Sequence, residues 1–179
     1  VDLSQGTDTI QGTVGNDALF LQNFGTTGNS LFYEENNNIT SSTRILGVEN
    51  INLLDGDNLI DLTSTTSSLA DQDISITTGS GNDILWLSDA NETINAGHGD
   101  DQIVVNGGID TLVTGLGNDI VTITNTVGNL TLSDFDPTTD KFIFHTNANN
   151  VAVDGNTIKL TSNLGDYDLI FSNNPDLST

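Results

Sequence analysis

The feature that most constrains the fold of this chain is an acidic residue that recurs every nine residues through its central part. An aliphatic residue stands two positions after each acid, and the aliphatic series continues in phase to Ile76 and Leu130. A fixed short period indicates stacked units that bury a shared core. The acids are Asp83, Glu92, Asp101, Asp110 and Asp119, and the aliphatic residues are Leu85, Ile94, Ile103, Leu112 and Val121.

Alternate copies of the repeat differ in their glycines. The copies that begin at Thr78, Ala96 and Thr114 read "TGSGNDILW", "AGHGDDQIV" and "TGLGNDIVT", with two glycines before the aspartate. One or both glycines are absent from the intervening copies, which read "LSDANETIN" from Leu87 and "VNGGIDTLV" from Val105. The structural turn is therefore 18 residues long and has two unlike halves. We expect the glycine-rich loops to share one side of the molecule, and apolar stacking to hold the other side.

These patterns predict an all-β fold made of very short parallel strands. Each strand triplet has an inward central residue, a loop of six residues reverses the chain, and two such half-turns close one coil. Strands of successive coils stack about 4.8 Å apart. Glycines permit positive φ angles and close backbone approach, so loop carbonyls and one carboxylate per loop can form an all-oxygen cage. Such a cage suits Ca²⁺, which accepts about six to eight oxygens in flexible geometry, better than Mg²⁺.

The composition supports a cation as partner. The chain carries 25 acidic residues against three basic ones, for a net charge of −22. This charge disfavours nucleic acid and anionic membranes as partners, and it creates self-repulsion that bound cations would neutralise. There is no Cys, no Met and no apolar run long enough to cross a bilayer. The start at Val1, without an initiator Met, suggests a fragment or a processed chain.

The repeat resembles the nonapeptide GGxGxDxUx of the RTX (repeats-in-toxin) family, also described as hemolysin-type calcium-binding repeats. Residues 78–122 carry the pattern, and an N-terminal pair, "LSQGTDTIQ" followed by "GTVGNDALF", is similar. The resemblance implies a parallel β-roll with two or more Ca²⁺ ions between loops 78–83, 96–101 and 114–119. The ligands that it implies are side-chain or backbone oxygens of Thr78, Gly79, Gly81, Asp83, Ala96, Gly97, Gly99, Asp101, Thr114, Gly115, Gly117 and Asp119, and of Asp8, Gly15 and Asp17 in the N-terminal pair.

A shorter nine-residue echo lies before the central block, in "GVENINL" and "GDNLIDL". We interpret residues 45–62 as metal-poor coils of the same roll, with insertions near residues 23–46 and 63–75. An ordinary strand pair joined at "DGDN" explains the same residues, because Asp-Gly is also a hairpin signal.

The period ends after Asn129, and three apolar segments predict an antiparallel β cap over the open end of the roll. The turn "VDGN" predicts a hairpin within this cap. The stretch "DFDPTTDK" resembles the segment that closes RTX rolls, and its Asp134, Asp136 and Asp140 form either a further calcium site or Asx turns. The expected organisation is one structural domain with an N-terminal repeat pair (1–22), degenerate coils (23–75), a roll core (76–131) and a cap (132–179).

The sequence offers little for catalysis. His98 and His145 are the only histidines, and we expect His98 to face solvent, so we predict no catalytic residue and no enzymatic activity. The first hypothesis is a calcium-dependent folding module of a secreted or cell-surface bacterial protein, serving as a structural scaffold or secretion-linked module. The second is an adhesin or polysaccharide-binding module. The expected partners are Ca²⁺, attached domains of a larger parent protein and, for the second hypothesis, extracellular polysaccharide; nucleic acid and membrane insertion are not expected.

Overall fold

The structure is a computed structural model that describes residues 6–23, 29–35, 48–63, 72–124, 128–144, 150–154, 157–162 and 165–172. The described residues form two β-sheets and no helix, so none of them belongs to a helix able to cross a bilayer. Strands are numbered in chain order. The first sheet contains, in spatial order, β1 (Thr9–Gln11), β4 (Asn50–Asn52), β6 (Asp73–Thr77), β8 (Asn91–Asn95), β10 (Ile109–Val113), β12 (Gly128–Leu132), β16 (Gly165–Phe171), β15 (Thr157–Ser162) and β14 (Asn150–Asp154). The second sheet contains β13 (Lys141–Phe144), β11 (Ile120–Ile123), β9 (Gln102–Val105), β7 (Ile84–Trp86), β5 (Leu59–Asp61), β2 (Asp17–Asn23) and β3 (Asn29–Glu35).

The chain alternates between the two sheets, and this alternation builds the predicted parallel roll. In the second sheet Gln102 lies beside both Ile84 and Ile120, which are 18 residues before and after it. The first sheet keeps the same interval, because Thr93 lies beside Thr111. The all-β parallel roll with 18-residue turns is therefore confirmed. The aliphatic residues of the repeat point inward and are buried: Leu85, Ile94, Ile103, Leu112 and Val121.

The coils before the central block belong to the same roll. Strands β4 and β5 lie in different sheets, and each pairs in parallel with a strand on either side. The interpretation of residues 45–62 as coils of the roll is confirmed where they are described, and the hairpin at "DGDN" is wrong. Asn50 lies beside Ser75, an offset larger than 18 residues, so the insertion is absorbed between β5 and β6. Residues 64–71 of that insertion lie outside the described part of the chain.

The two ends of the roll carry the antiparallel strands. At the N-terminal end β3 pairs antiparallel with β2. At the C-terminal end β14, β15 and β16 run antiparallel in succession, which confirms the cap and the antiparallel pairing of the strands on either side of "VDGN"; residues 155–156 of that turn lie outside the described part of the chain. Strand β13, however, pairs in parallel with β11, so "KFIF" extends the roll instead of joining the cap. The rings of Phe135, Phe142 and Phe171 pack with centroids 4.6 to 5.5 Å apart and close the core there.

Candidate metal centre

The loops that lead from the first sheet to the second all lie on one side of the roll, which we call the glycine-loop side. Its central loops are 78–83, 96–101 and 114–119, and they stack directly: Ser80 bridges to His98, and His98 to Leu116. Gly97 has a φ of 103°, and a Cβ on it would collide with the carbonyl oxygen of Gly79. The glycines are therefore required by close backbone approach as well as by backbone conformation.

A ladder of buried aspartates runs through these stacked loops. We call Asp83, Asp101 and Asp119 the carboxylate ladder; each side chain is fully buried. The Oδ1 atom of Asp101 accepts the backbone N–H of Asp83 at 2.8 Å, and the Oδ1 atom of Asp119 accepts that of Asp101 at 2.9 Å. One oxygen of each carboxylate therefore ties its own coil to the coil before it.

The second oxygen of each ladder carboxylate has no such donor. The Oδ2 atoms of Asp83, Asp101 and Asp119 are buried without a hydrogen-bond partner among the described residues. Burial raises the pKa of Asp83 to about 6, and burial together with smaller contributions from the neighbouring carboxylates raises the pKa of Asp101 to about 7. Burial also raises the pKa of Asp119. A buried anionic oxygen without a donor is unfavourable unless a cation or a proton neutralises it.

The donor set of these loops fits a hard cation held largely by backbone oxygens. Within the described residues no three His, Cys, Asp or Glu side chains converge as a metal-binding group. A cation here would therefore combine ladder carboxylates with loop carbonyls, an all-oxygen environment that suits Ca²⁺. The first residue of each loop (Thr78, Ala96 and Thr114) is fully buried and lines the same column.

The segment after β12 closes the last glycine loop. Asp134 accepts the backbone N–H groups of Thr114 and Gly115, at 3.0 and 2.8 Å. Asp140 accepts the N–H of Asp119 at 3.2 Å and so extends the ladder by one step. Asp136 instead accepts the hydroxyl and the N–H of Thr138 in an Asx turn, and these hydrogen bonds lower its pKa. The three aspartates line one cavity beside the glycine loops but make different contacts: Asp134 and Asp140 bind the ladder coil, and Asp136 shapes the turn and donates its N–H to Asp140 at 2.9 Å.

The N-terminal repeat pair is divided between the two sides of the roll. Asp17 lies on the glycine-loop side, and its Oδ2 accepts the N–H of Thr13 at 2.7 Å. Asp8 lies on the opposite side, where its own N–H donates to Glu49. Gly15 stacks against Gly56, since a Cβ on Gly56 would collide with the carbonyl of Gly15. Asp8 and Asp17 therefore lie on opposite sides of the roll. Their nine-residue spacing, half of the 18-residue turn, implies this arrangement.

The opposite side of the roll buries a second group of acids. Glu92 and Asp110 are each 1% exposed, and the N–H of Glu92 donates to Asp110 Oδ1 at 2.9 Å. Glu92 Oε1 accepts the N–H and the hydroxyl of Ser88. Burial, with a contribution from Glu92, raises the pKa of Asp110 to about 8. Apolar stacking on this side is thus accompanied by a buried carboxylate pair. Both acids belong to the repeat, but no role was predicted for them from the sequence.

No role was predicted from the sequence for Tyr167, an aromatic residue near this pair. Tyr167 is fully buried, and its hydroxyl has no partner among the described residues. Burial raises its pKa, and the charges of Asp110 and Glu92 raise it further. Tyr167 lies beside Gly128 in the paired strands β12 and β16, so its ring covers a position without a side chain. No sequence signal links Tyr167 to the repeat, because its strand returns to the roll only after the β14–β15 hairpin.

Comparison with known proteins returns one family. The model of the RTX calcium-binding nonapeptide repeat matches the chain in four copies, over residues 3–21, 75–103 and 104–122. These ranges contain the central glycine loops and the N-terminal pair. No curated protein and no solved structure matches the chain.

Proposed function

Because this chain carries RTX calcium-binding nonapeptide repeats folded into a parallel solenoid, we propose that it is a calcium-binding β-roll module with its ions between the stacked loops 78–83, 96–101 and 114–119. The observation that carries this proposal is the row of ladder oxygens buried without a donor. Calcium relieves this arrangement directly, because it accepts about six to eight oxygens and tolerates irregular geometry.

The ladder carboxylates and the loop backbone supply the ligands. The carboxylates bring the negative charge, and the glycine-rich backbone brings carbonyl oxygens close to them. Three loops stacked in this way provide two gaps, so we propose two or more ions. The proposed ligand residues are Thr78, Gly79, Gly81, Asp83, Ala96, Gly97, Gly99, Asp101, Thr114, Gly115, Gly117 and Asp119.

The N-terminal loop fits a cation less well than the central loops do. The N–H of Thr13 already donates to Asp17 Oδ2, so a cation there would have to replace this donor. Asp8 lies on the other side of the roll and cannot share an ion with Asp17. We therefore centre the proposal on the three central loops and do not extend it to Asp8, Gly15 and Asp17.

Calcium binding is proposed to be coupled to folding. The net charge of −22 and the raised pKa values of the ladder mean that the ionised roll repels itself. A ligand that binds only the folded state stabilises it by mass action, by about 2.7 kcal/mol at a concentration of 100 times the Kd. The roll would therefore be weakly stable where calcium is scarce and firmly folded where calcium is abundant.

This coupling suits a secreted or cell-surface protein, since calcium is abundant outside cells. RTX nonapeptide rolls are generally structural elements, and we propose a non-enzymatic scaffold or secretion-linked role for this one. The buried polar side chains of the ladder belong to the repeat itself, and His98 is exposed at a loop tip. The proposed function of the module is to fold in calcium and so to hold in place the parts of the parent protein that adjoin it.

Isothermal titration calorimetry and circular dichroism test the proposal together. Protein stripped with EGTA is titrated with Ca²⁺, and in parallel with Mg²⁺ as the matched control. We expect two or more calcium ions to bind, the melting temperature to rise, and Mg²⁺ to reproduce little of either effect. Absence of binding heat together with identical melting curves in EGTA and in calcium would overturn the proposal.

A further inference from the structure

Asn58 holds in its own coil the position that Asp83 holds in the next. Ile60 and Leu85 lie side by side in the paired strands β5 and β7, which sets loop 53–58 against loop 78–83. The backbones match in conformation as well as in register. Leu54 and Gly56 have φ angles of 63° and 132°, like the glycines at the corresponding positions of the next loop. Leu54 is the one non-glycine with positive φ among the described residues, so this coil keeps the cage backbone even where a side chain makes it unfavourable.

The side chain of Asn58 is oriented by the same contact that orients the ladder aspartates. Its Oδ1 accepts the N–H of Asp17 at 3.0 Å, just as Asp83 Oδ1 accepts the N–H of Asn58 at 2.7 Å. The amide cannot be flipped without turning its NH₂ group toward a backbone donor, so its orientation follows from the network. The remaining atom, Nδ2, therefore corresponds to the Oδ2 atoms of the carboxylate ladder, which have no donor.

Asn58 Nδ2 has three partners, and all of them are carbonyl oxygens. It donates to Leu54 at 3.3 Å and to Gly56 at 2.9 Å within its own loop. It also donates to Thr78 at 3.0 Å in the next coil. These are loop carbonyls of the kind that, in the central coils, are proposed to face calcium. The partially positive NH₂ group thus faces three converging carbonyl oxygens. Asn58 is 2% exposed, and its amide group is fully hydrogen-bonded.

We propose that Asn58 is a built-in replacement for calcium, which joins loop 53–58 to loop 78–83 without a metal and excludes a cation from the gap between them. This inference rests on the proposed function. The other gaps are proposed to bind calcium, whereas this gap is assigned no ion. A cation in this gap would meet the N–H groups of the amide instead of a carboxylate. The donor set here does not fit calcium.

The same junction is braced by further metal-independent contacts. Asp55 accepts the N–H and the hydroxyl of Ser80, and Asp57 accepts the N–H of Asn82. The N–H of Gly56 donates to the carbonyl of Ser80 at 2.6 Å. Equivalent contacts recur between the central loops, where the N–H of Gly81 donates to the carbonyl of His98 and the N–H of Asp100 donates to Asn82. The contact that distinguishes the first junction is therefore the Asn58 amide, which occupies the position of a ladder carboxylate.

Two reciprocal substitutions test this assignment by counting ions. Asn58→Asp places a carboxylate oxygen among the three carbonyls, and we expect one more calcium ion per chain than in wild type. Asp83→Asn places an amide among the carbonyls of the next gap, and we expect one ion fewer. The ions are counted by calorimetry and by elemental analysis of the desalted, calcium-loaded protein. Asp57→Asn, at the exposed neighbouring position, is the matched control and should leave the count unchanged.

Melting curves in EGTA provide the second measurement. Without calcium we expect Asn58→Asp to melt below wild type, because the carbonyls of Leu54, Gly56 and Thr78 lose the NH₂ donors that they share. We expect Asp83→Asn to melt above wild type. An Asn58→Asp protein that folds in calcium and binds the wild-type number of ions overturns the proposal and leaves the proposed function standing. If Asn58→Asp does not fold, an unchanged ion count in Asp83→Asn overturns it. A wild-type protein that binds no calcium overturns both the inference and the proposed function.

Discussion

The two sides of the roll bury acids at the same place in the nine-residue repeat, yet they satisfy them differently. On the glycine-loop side, three successive ladder carboxylates each use one oxygen to hold the previous coil and keep the other without a donor. On the opposite side Asp110 also holds the previous coil, through the N–H of Glu92, and Asp110 and Glu92 each keep one oxygen without a donor. The other oxygen of Glu92, however, accepts from Ser88 within its own loop. The acids there are only two in a row, because Ile74 and Leu130 occupy the neighbouring positions in the paired strands. The proposed cation column therefore differs from the opposite side in its length and in the glycine-rich loops that surround it.

The difference extends to how negative charge is relieved. Burial raises the pKa of Asp110 to about 8, so this carboxyl retains a proton at neutral pH. One proton lowers the charge of a pair of acids, but a longer column of carboxylates, surrounded by carbonyl oxygens, is neutralised more effectively by divalent cations. The three predictions below separate these two modes of neutralisation.

The largest effect is expected from Asp101→Ala, at the centre of the ladder. This change removes a proposed calcium ligand, and it leaves the buried N–H of Asp83 without an acceptor, which costs about 1–3 kcal/mol. Loss of calcium stabilisation adds about 2.7 kcal/mol at a calcium concentration of 100 times the Kd. Denaturant unfolding in saturating calcium and in EGTA measures both terms. Asp100→Ala, an exposed acid in the same loop, is the control, and an equal loss from both substitutions would contradict the account.

An intermediate effect is expected from alanine at two glycines in equivalent positions on the two sides. Gly97 and Gly108 have φ angles of 103° and 106°, and a Cβ on either would collide with the carbonyl of the coil before it. Both Gly97→Ala and Gly108→Ala should therefore destabilise the calcium-free roll, by about 1–3 kcal/mol.

Gly97→Ala and Gly108→Ala are expected to differ in their affinity for calcium. Only Gly97→Ala displaces the backbone of a proposed calcium loop, so only this substitution should weaken calcium binding in a titration. If the two variants lost calcium affinity to the same degree, the assignment of the ions to the glycine-loop side would be wrong.

A pH dependence from the opposite side is expected in saturating calcium, where the bound metal holds the ladder carboxylates ionised. An unfolded Asp has a pKa of about 3.9, whereas burial raises the pKa of Asp110 to about 8 in the folded roll. The stability that this group contributes is therefore fully present below the unfolded pKa and is lost as the pH rises through the folded pKa. In saturating calcium the melting temperature should fall between about pH 4 and about pH 8, and Asp110→Asn should reduce this fall. An unchanged slope in Asp110→Asn would show that the pair does not hold the proton.

Much of the fold could be predicted from the sequence because the pattern is local and repeated. The spacing of Leu85, Ile103 and Val121 fixes the inward positions, and the 18-residue period fixes which loops share a side. The parallel roll, the glycine loops and the hairpin of the cap follow from these short-range rules.

The remaining features depend on how distant residues are brought into register. Insertions separate Asn58 from Asp17 and from Asp83, so the period does not connect them, and the role of the Asn58 amide appears only once the strands are paired. Leu54 takes a glycine conformation that no sequence rule assigns to Leu. The contacts of Asp134 and Tyr167 with the last coils depend likewise on segments that return after a break in the repeat.

The measurement that tests the central claim most directly is anomalous X-ray scattering from crystals grown in calcium. The account predicts calcium peaks in the gaps between loops 78–83 and 96–101 and between loops 96–101 and 114–119, beside the ladder carboxylates. It predicts no peak in the gap next to Asn58. Crystals grown in calcium that show no peak along the ladder, or that show calcium only at exposed carboxylates, would contradict it.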